Sequence, residues 1–471
     1  MNGGESLSLR DVRRMLEGIV PPALCTVSPE REPHVNYLSQ AEYVDEQHIA
    51  LSFQFFNRTR ANVLATGRAA LGVDDPYTGA GVVMQLEYLR TETGGPIFER
   101  MRAKLASIAS QTGMENVFRL RGADIYRVLS LRRVPGRNEL AAAEPRCDVA
   151  AGARAVSERL AGCVELGQLL DAAMQGLREL LRIDHAMLLL LDAQHHHFVT
   201  IASIGYEVSG IGAEIPVDEG LAGVAAREGV PIRVGHMTTM YAYGRAIRRS
   251  AIDQGMHDLV DPEIPLPGLS EPRSQLAVPL RARGRTIGVL LVESTHDQFF
   301  SYDDEDALTV LCGQLALSLL VLQQDERRPA TRSSRGDIAA PRAEARAALP
   351  AGRPLRVRFF RRDGSVFLDH DYLIKGVAGA IFWKLANEFV HAGRSEFTNR
   401  ELRLSPELRL PEIQDNLEVR LLLLQRRLAE RGSAVRIHRL GRGRLRLQAD
   451  RPLVLEEPAL PDANATPRRG K

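Results

Sequence analysis

Residues 274–323 constrain the fold more than any other part of this chain. Two apolar runs, at residues 275–280 and 286–293, flank a polar turn at residues 281–285, and this pattern predicts a β-hairpin. Ser301 follows with a cluster of acidic residues and then apolar residues at helical spacing, which predicts a helix with a hydroxyl cap. We therefore expect this stretch to close one domain with a strand pair and a capped helix.

Length and composition indicate several soluble domains. With 471 residues and 44% hydrophobic side chains, the chain can form about two to four domains that each bury a core. No uninterrupted apolar run approaches the ~18 residues of a membrane span, and the first residues lack the apolar core of a signal peptide. We therefore expect a cytoplasmic protein that does not enter a membrane.

The four cysteines, Cys25, Cys147, Cys163 and Cys312, lie far apart in the sequence. Their spacing matches neither a metal site nor a redox pair, so we expect free thiols in a reducing compartment. Cys25 and Cys312 stand within apolar runs, and both are expected to be buried.

Two stretches read as linkers between domains. Residues 137–155 are rich in Ala, Glu, Pro and Gly without apolar periodicity, and residues 325–353 combine Arg, Ala, Pro and Ser with few large apolar side chains. The second stretch is predicted to be flexible, and the tail after Glu457 to be disordered. Three modules remain, at residues 5–136, 156–324 and 354–450.

The first module combines many short strands with few helices. Strands are predicted at residues 23–27, 34–39, 48–53, 69–74, 82–90 and 124–131, and helices at residues 9–19, 59–66 and 98–109. Such an order favours a small closed sheet. The turn formed by Asn57, Arg58, Thr59 and Arg60 offers two guanidiniums and a hydroxyl at a helix start, which suits a phosphate group. A solvated helix start, with the arginines facing water, is the alternative.

The module resembles the pyridoxamine 5'-phosphate oxidase-like split barrel, which binds FMN. The similarity rests on the opening helix and on the segments PALCTVSPEREPHVNYLS, NRTRANVLATGRAALGVDDP and ADIYRVLSLRRV. It implies that Asn57, Arg58, Thr59 and Arg60 grip the FMN phosphate, and that the chain forms a homodimer with the flavin at the interface. The family has a lysine close to the position of Thr59, and this chain has none there. No residue that would hold a substrate over the flavin is identified, so we predict no catalytic residue.

The second module resembles a GAF domain over residues 156–324. The motifs IPVDEGLAGVAAREGVPIRV and VPLRARGRTIGVLLVES carry the similarity, together with a predicted helix at residues 166–181 and a hairpin at residues 185–203. The resemblance implies small-molecule sensing. The insertion at residues 235–273 would fold over the ligand pocket, where it either contacts a ligand or, as we expect, closes the core. The cyclic-nucleotide signature is absent and no cysteine in the insertion could hold a bilin, so the ligand class stays open.

Three adjacent histidines, His195, His196 and His197, raise the question of a metal site. Neighbouring side chains in a hairpin cannot all face one point. We expect a solvent-exposed turn and no metal.

The third module reads as a β-hairpin, three helices and a second β-hairpin, with the third helix at residues 415–431. This order resembles the winged-helix DNA-binding domain of two-component response regulators, in which the third helix enters the major groove and the last hairpin forms a wing. Residues 353–446 contain twenty Lys and Arg against eleven Asp and Glu. The residues expected at DNA are Arg420, Arg426 and Arg427 on the helix, and Arg436, Arg439, Arg442 and Arg444 in the wing. The alternatives are a solvated arginine-rich surface and a winged helix that contacts another protein.

Together these patterns predict a multidomain α+β fold composed of a split β-barrel, a GAF α/β sandwich and a winged helix. The favoured function is a cytoplasmic sensory regulator that couples flavin or small-molecule sensing to DNA binding and transcription. The alternative is an FMN-dependent oxidoreductase of the pyridoxamine-phosphate-oxidase-like type, with a regulatory GAF module and a winged helix for protein contacts. A scaffold that uses the winged helix to bind another protein is the third hypothesis.

Overall fold

The computed structural model describes residues 7–17, 21–38, 40–53, 58–75, 78–111, 120–134, 146–192, 196–217, 220–235, 266–325, 353–408, 417–441 and 443–458. They form a multidomain α+β protein with curled sheets, and this coarse fold class was predicted from the sequence. Three units follow one another along the chain: an N-terminal unit (residues 7–134), a central unit (residues 146–325) and a C-terminal unit (residues 353–458). The predicted flexible linker at residues 325–353 lies almost entirely outside the described residues.

The N-terminal unit is built on one antiparallel sheet. Its strands are β1 (Ala23–Val27), β2 (Pro33–Tyr37), β3 (Ala41–Tyr43), β4 (His48–Phe53), β5 (Arg68–Asp74), β6 (Gly81–Glu92) and β7 (Gly122–Val134). Their order across the sheet is β2-β1-β5-β6-β7-β4-β3. The helices are α1 (Arg58–Thr66) and α2 (Pro96–Gln111), and a short 3-10 helix (Arg13–Glu17) stands where the amphipathic opening helix was predicted. Strand β3 was not predicted.

The prediction that Cys25 is buried is wrong. Strand β1 alternates between its two faces, so that Leu24 and Thr26 are buried while Cys25 and Val27 are exposed. An apolar run in a strand of a one-sided sheet does not tell which residues face the core. Cys312 is buried as predicted, and this burial raises the pKa of its thiol.

The central unit surrounds a sheet of six strands. In chain order the elements are α3 (Val149–Ala161), α4 (Leu166–Leu180), β8 (His185–Asp192), β9 (His197–Ile204), β10 (Glu214–Pro216), α5 (Gly220–Glu228), β11 (Ile232–Val234), β12 (Ser274–Ala282), β13 (Arg285–Ser294) and α6 (Tyr302–Asp325). The strand order is β10-β9-β8-β13-β12-β11. One face packs on α4 and α6, with α3 lying against those two helices, and the other face packs on α5. Ser301 caps α6 through reciprocal hydrogen bonds with Asp304, as the sequence predicts.

Helix α3 begins inside the stretch that was predicted as the first linker. Asp148 caps it by accepting a hydrogen bond from the backbone N–H of Ala151 at 3.0 Å. Its buried positions are Gly152, Val156 and Leu160, spaced four residues apart. The sequence pattern did not predict this helix, because the first of its buried positions is a glycine and not a large apolar residue. A Cβ at Gly152 would lie 2.8 Å from the carbonyl oxygen of Leu180.

Helix α6 is the one described helix that is long and apolar enough, by length and composition alone, to cross a membrane. Core helices of soluble proteins meet the same criterion. The buried side of α6 packs on β12 and α3.

The C-terminal unit contains two small sheets and three helices. Its elements are β14 (Leu355–Phe360), β15 (Ser365–Leu368), β16 (Asp371–Ile374), α7 (Gly376–Ala392), β17 (Glu396–Thr398), α8 (Asn399–Leu404), α9 (Leu417–Glu430), β18 (Val435–Gly441), β19 (Arg444–Ala449) and β20 (Leu453–Glu456). The first sheet has the order β16-β15-β14-β20, with β20 parallel to β14, and the second has the order β17-β19-β18. Trp383 of α7 stacks on Phe359 at 5.0 Å between ring centroids. Strand β20 extends the unit beyond the predicted end at residue 450.

Candidate functional site

The turn predicted to bind a phosphate lies at the start of α1. Arg58 is exposed, whereas Thr59 is buried and its Oγ1 has no hydrogen-bond partner among the described residues. Asn57 lies outside the described residues. Arg58 and Thr59 therefore offer a cation and an unused hydroxyl beside the free N–H groups of a helix start.

Arg60 is engaged within the protein. One of its Nη atoms donates to Asp124 of β7 at 2.6 Å, and the other donates to the hydroxyl of Thr91 at 2.8 Å. The guanidinium also lies over the ring of Phe53, 3.8 Å from its centroid. Thr91 in turn donates to Asp124 and contacts the hydroxyl of Tyr88 at 2.7 Å. The geometry thus assigns Arg60 to the attachment of α1 to β6 and β7.

The α5 face of the central sheet carries an apolar cluster with polar groups at one end. Glu293 is buried, and its carboxylate accepts hydrogen bonds from the side chain of Gln275 at 2.5 Å and from the backbone N–H of Leu269 at 3.0 Å. His185 lies opposite Glu293 in the strand register and contacts the ring of Tyr206. These groups could orient a small polar molecule. Residues 236–265 of the insertion lie outside the described residues, so whether they cover this face stays a prediction.

Two of the arginines predicted to contact DNA reach across to the central unit. Arg420 of α9 pairs with Asp192 at the end of β8 at 3.1 Å, and its side chain is only 9% exposed. Arg426 pairs with Asp171 of α4 at 2.6 Å and also donates to the carbonyl oxygen of Ile201 in β9 at 3.1 Å. The predicted recognition helix is therefore docked on the central unit.

Arg427 serves the C-terminal unit itself. Its Nε donates to the carbonyl oxygen of Leu373 at 3.2 Å, and its guanidinium pairs with Glu430 at 3.0 Å. The side chain is buried. Arg427 thus joins α9 to β16.

The hairpin of β18 and β19 presents its arginines to solvent. Arg436 and Arg444 are 55% and 59% exposed and form surface pairs with Asp450 and Glu396 at 2.9 and 2.8 Å. Arg439 is less exposed and pairs with the buried Glu418 at 2.6 Å. Arg442 lies outside the described residues. The described arginines of this hairpin are therefore the most accessible of the predicted DNA contacts.

Among the described residues, no group of three or more His, Cys, Asp or Glu side chains is arranged to hold a metal ion. His196 adopts a left-handed backbone conformation in the hairpin turn, and the Nδ1 atom of His197 is buried. His195 lies outside the described residues.

Comparison with known proteins identifies the central unit. A family model of the GAF domain matches residues 163–320, within the predicted 156–324. The chain therefore contains a GAF domain, a module that binds small molecules in signalling proteins. No curated protein matches the chain.

Three solved structures are each similar to a part of the chain. The GAF domain of an Acinetobacter phosphoenolpyruvate-protein phosphotransferase is 22% identical, covers 37% of this chain and 94% of its own, and gives a TM-score of 0.30. Free methionine-R-sulfoxide reductase from Neisseria meningitidis is 21% identical, with coverages of 40% and 97% and a TM-score of 0.30. An FMN-binding protein from Syntrophomonas wolfei subsp. wolfei is 20% identical, with coverages of 27% and 86% and a TM-score of 0.24. The assignment of the central unit rests on the family model.

The sequence alone did not predict which acidic residues pair with the arginines of the predicted sites. Asp124, Asp171 and Asp192 carry no local motif, and each is separated from its arginine by more than sixty residues. Only the fold brings these charges together.

Proposed function

We propose that the protein is a cytoplasmic sensory regulator in which the GAF domain detects a small molecule and the C-terminal unit binds DNA as a winged helix. The observation that carries the proposal is the order of the C-terminal elements. Strands β14, β15 and β16 are followed by the helices α7, α8 and α9 and then by a β-hairpin that carries arginines. Exposed guanidiniums on such a hairpin suit phosphate contacts, because they donate bidentate hydrogen bonds and stay charged.

Substitution of two exposed hairpin arginines should weaken DNA binding in a salt-dependent way. Arg436→Ala combined with Arg444→Ala removes two candidate phosphate contacts, and each contact adds about 0.9 to the magnitude of the negative slope of log affinity against log salt concentration. We therefore expect the magnitude of this negative slope to fall by about 1.8 for the full-length protein. Fluorescence anisotropy with labelled duplex DNA between low and moderate salt measures this change.

The matched control is Arg154→Ala combined with Arg159→Ala on α3, which removes the same charge from an exposed surface of the GAF-containing unit. This control should leave the salt slope unchanged. An unchanged slope in the hairpin variant would exclude these arginines as contacts. No binding of duplex DNA by the full-length protein at low salt would refute the DNA-binding function.

A flavin-binding N-terminal unit is the second candidate function. The hydroxyl of Thr59, which has no hydrogen-bond partner among the described residues, and the exposed Arg58 at the start of α1 support it. The engagement of Arg60 by Asp124 leaves fewer donors for a phosphate. When bound, FMN would supply redox chemistry or a redox-sensitive signal. Arg58 and Thr59 would hold its phosphate, and the apolar side chains that β1 and β2 expose, among them Val35 and Tyr37, suit the homodimer that we include in the proposal.

Arg58→Ala should lower the affinity for FMN without changing the affinity for riboflavin, which lacks the phosphate. A hydrogen bond to a charged group contributes about 1.5–3 kcal/mol, which corresponds to roughly 10-fold to 150-fold in the dissociation constant. Titration calorimetry of the full-length protein with both compounds measures the difference. Arg68→Ala, an exposed arginine at the start of β5, is the control. Equal FMN affinity in wild type and Arg58→Ala would reject the phosphate role of Arg58.

A further inference from the structure

We propose that the GAF domain holds the C-terminal unit in a closed state, in which Asp171 and Asp192 occupy the arginines of α9 that DNA would otherwise contact. This inference rests on the DNA-binding function proposed above and names how that function is regulated. Release of α9 from the GAF domain would be the switch.

Charged contacts hold α9 along its length. Arg420 and Asp192 form a largely desolvated pair, and Arg426 reaches both Asp171 and the backbone carbonyl of Ile201. At the C-terminal end of the helix, the hydroxyl of Ser209 donates to Glu430 at 2.5 Å. These are charge-assisted hydrogen bonds, which are stronger than neutral ones. Each of these hydrogen bonds links α9 to the GAF domain.

Further contacts extend the interface beyond the arginines. Leu422 lies against α4, where a Cβ added to Gly167 would stand 3.6 Å from Leu422 Cδ1, an ordinary packing distance. Lys375, which precedes α7, pairs with Glu214 of β10 at 3.2 Å. The interface therefore combines apolar packing with charge pairing, as protein interfaces do.

The closed contact and a DNA contact exclude one another at α9. A guanidinium that is paired with a carboxylate in a desolvated contact cannot at the same time present its donors to a phosphate, and a face that packs on α4 cannot enter a groove. Arg436 and Arg444 of the hairpin stay accessible in this state. The closed protein would thus bind DNA through the hairpin alone, and the open protein through both elements.

Strand β9 connects the contacts of α9 with the α5 face of the GAF sheet. In β9, Ile201 belongs to the apolar core that faces α4, while Phe198 belongs to the cluster that faces α5. Thr200 exchanges backbone hydrogen bonds with the loop around Ala213, at 2.8 and 2.9 Å, and the same loop carries Ser209. A ligand on the α5 face that displaces β9 would therefore act on the partners of Arg426 and Glu430. Such a ligand would bias the equilibrium between closed and open states by its difference in affinity for the two.

The test is the DNA affinity of full-length Asp171→Asn combined with Asp192→Asn. These substitutions keep side-chain size and remove the charges that face Arg426 and Arg420. We expect the affinity for duplex DNA to rise between about 5-fold and 150-fold, the usual range for coupling between two sites. Glu158→Gln combined with Glu179→Gln is the matched control, because it removes the same charge from exposed positions of α3 and α4 that pair with Arg154 and Arg159.

A second variant and a second readout separate the possible failures. Gly167→Phe adds bulk against Leu422 without any change in charge and should raise the affinity in the same direction. Hydrogen exchange followed by mass spectrometry should show faster exchange in α9 for both variants. If wild type binds DNA and neither variant gains affinity or exchanges faster in α9, the closed state is overturned while the DNA-binding function stands. If no form of the protein binds DNA at low salt, both proposals fall.

Discussion

Asp124→Ala is expected to destabilise the N-terminal unit by about 3–5 kcal/mol, because it removes the carboxylate that pairs with the largely buried guanidinium of Arg60. The pair is well shielded, with side-chain exposures of 12% and 10% for Arg60 and Asp124. Thr91 would lose its acceptor at the same time. The loss of stability is measured in the full-length protein by the rate of hydrogen exchange in peptides of α1, β6 and β7. The exchange rate in peptides of the C-terminal unit should not change.

Two further variants show whether this loss comes from the buried charge. The double variant Arg60→Leu with Asp124→Ala removes both charges, and it should be less destabilised than Asp124→Ala alone. Arg127→Ala breaks a pair with Glu87 on the same sheet, but both partners are substantially exposed, so the expected cost is within about 1 kcal/mol. Equal losses in Asp124→Ala and Arg127→Ala would contradict the assignment of Arg60 and Asp124 as a structural pair.

Local patterns in the sequence predicted most elements, because each of those elements is specified by nearby residues. The cap of α6 at Ser301 and the hairpin of β12 and β13 depend on side chains within a few positions, and both were predicted correctly. Strand β20 was missed for the opposite reason. It is four residues long, and it forms by parallel pairing with β14, which lies about a hundred residues earlier in the sequence.

The candidate sites were predicted less well than the elements, because the roles of arginines depend on distant partners. The sequence places Arg58 and Arg60 together at one helix start, and both suit a phosphate. In the folded chain Arg58 is exposed, while Asp124 and Thr91 take the donors of Arg60. The same reasoning applies to α9, where Arg420 and Arg426 meet acidic residues of the GAF domain. A count of basic residues cannot distinguish arginines that are free for a ligand from arginines that hold the fold together.

A cluster of charges at the junction of the N-terminal and central units leads to the second large expected effect. Arg233 of β11 and Glu305 of α6 form an ion pair at 2.9 Å, with both side chains less than 5% exposed. Arg100 of α2 lies near both Glu305 and Glu42, at 3.8 and 3.5 Å. Burial would lower the pKa of the Arg100 guanidinium, but the two carboxylates outweigh this effect and raise the pKa. Glu305 thus neutralises one arginine within its own unit and a second arginine from the unit before it.

Glu305→Ala should therefore destabilise the GAF domain by about 3–5 kcal/mol, since the buried guanidinium of Arg233 would lose the carboxylate that neutralises it. It should also loosen α2, because Arg100 would lose one of the two described carboxylates that lie near it. In this variant, hydrogen exchange is expected to accelerate in β11, α6 and α2 together. Asp306 is the adjacent acidic residue and is largely exposed, so Asp306→Ala should change the exchange rates little. Faster exchange in β11 with unchanged α2 would show that Arg100 does not couple the two units. Unchanged exchange in β11 would contradict the buried pair itself, because a desolvated guanidinium cannot lose its carboxylate without a cost to the strand that carries it.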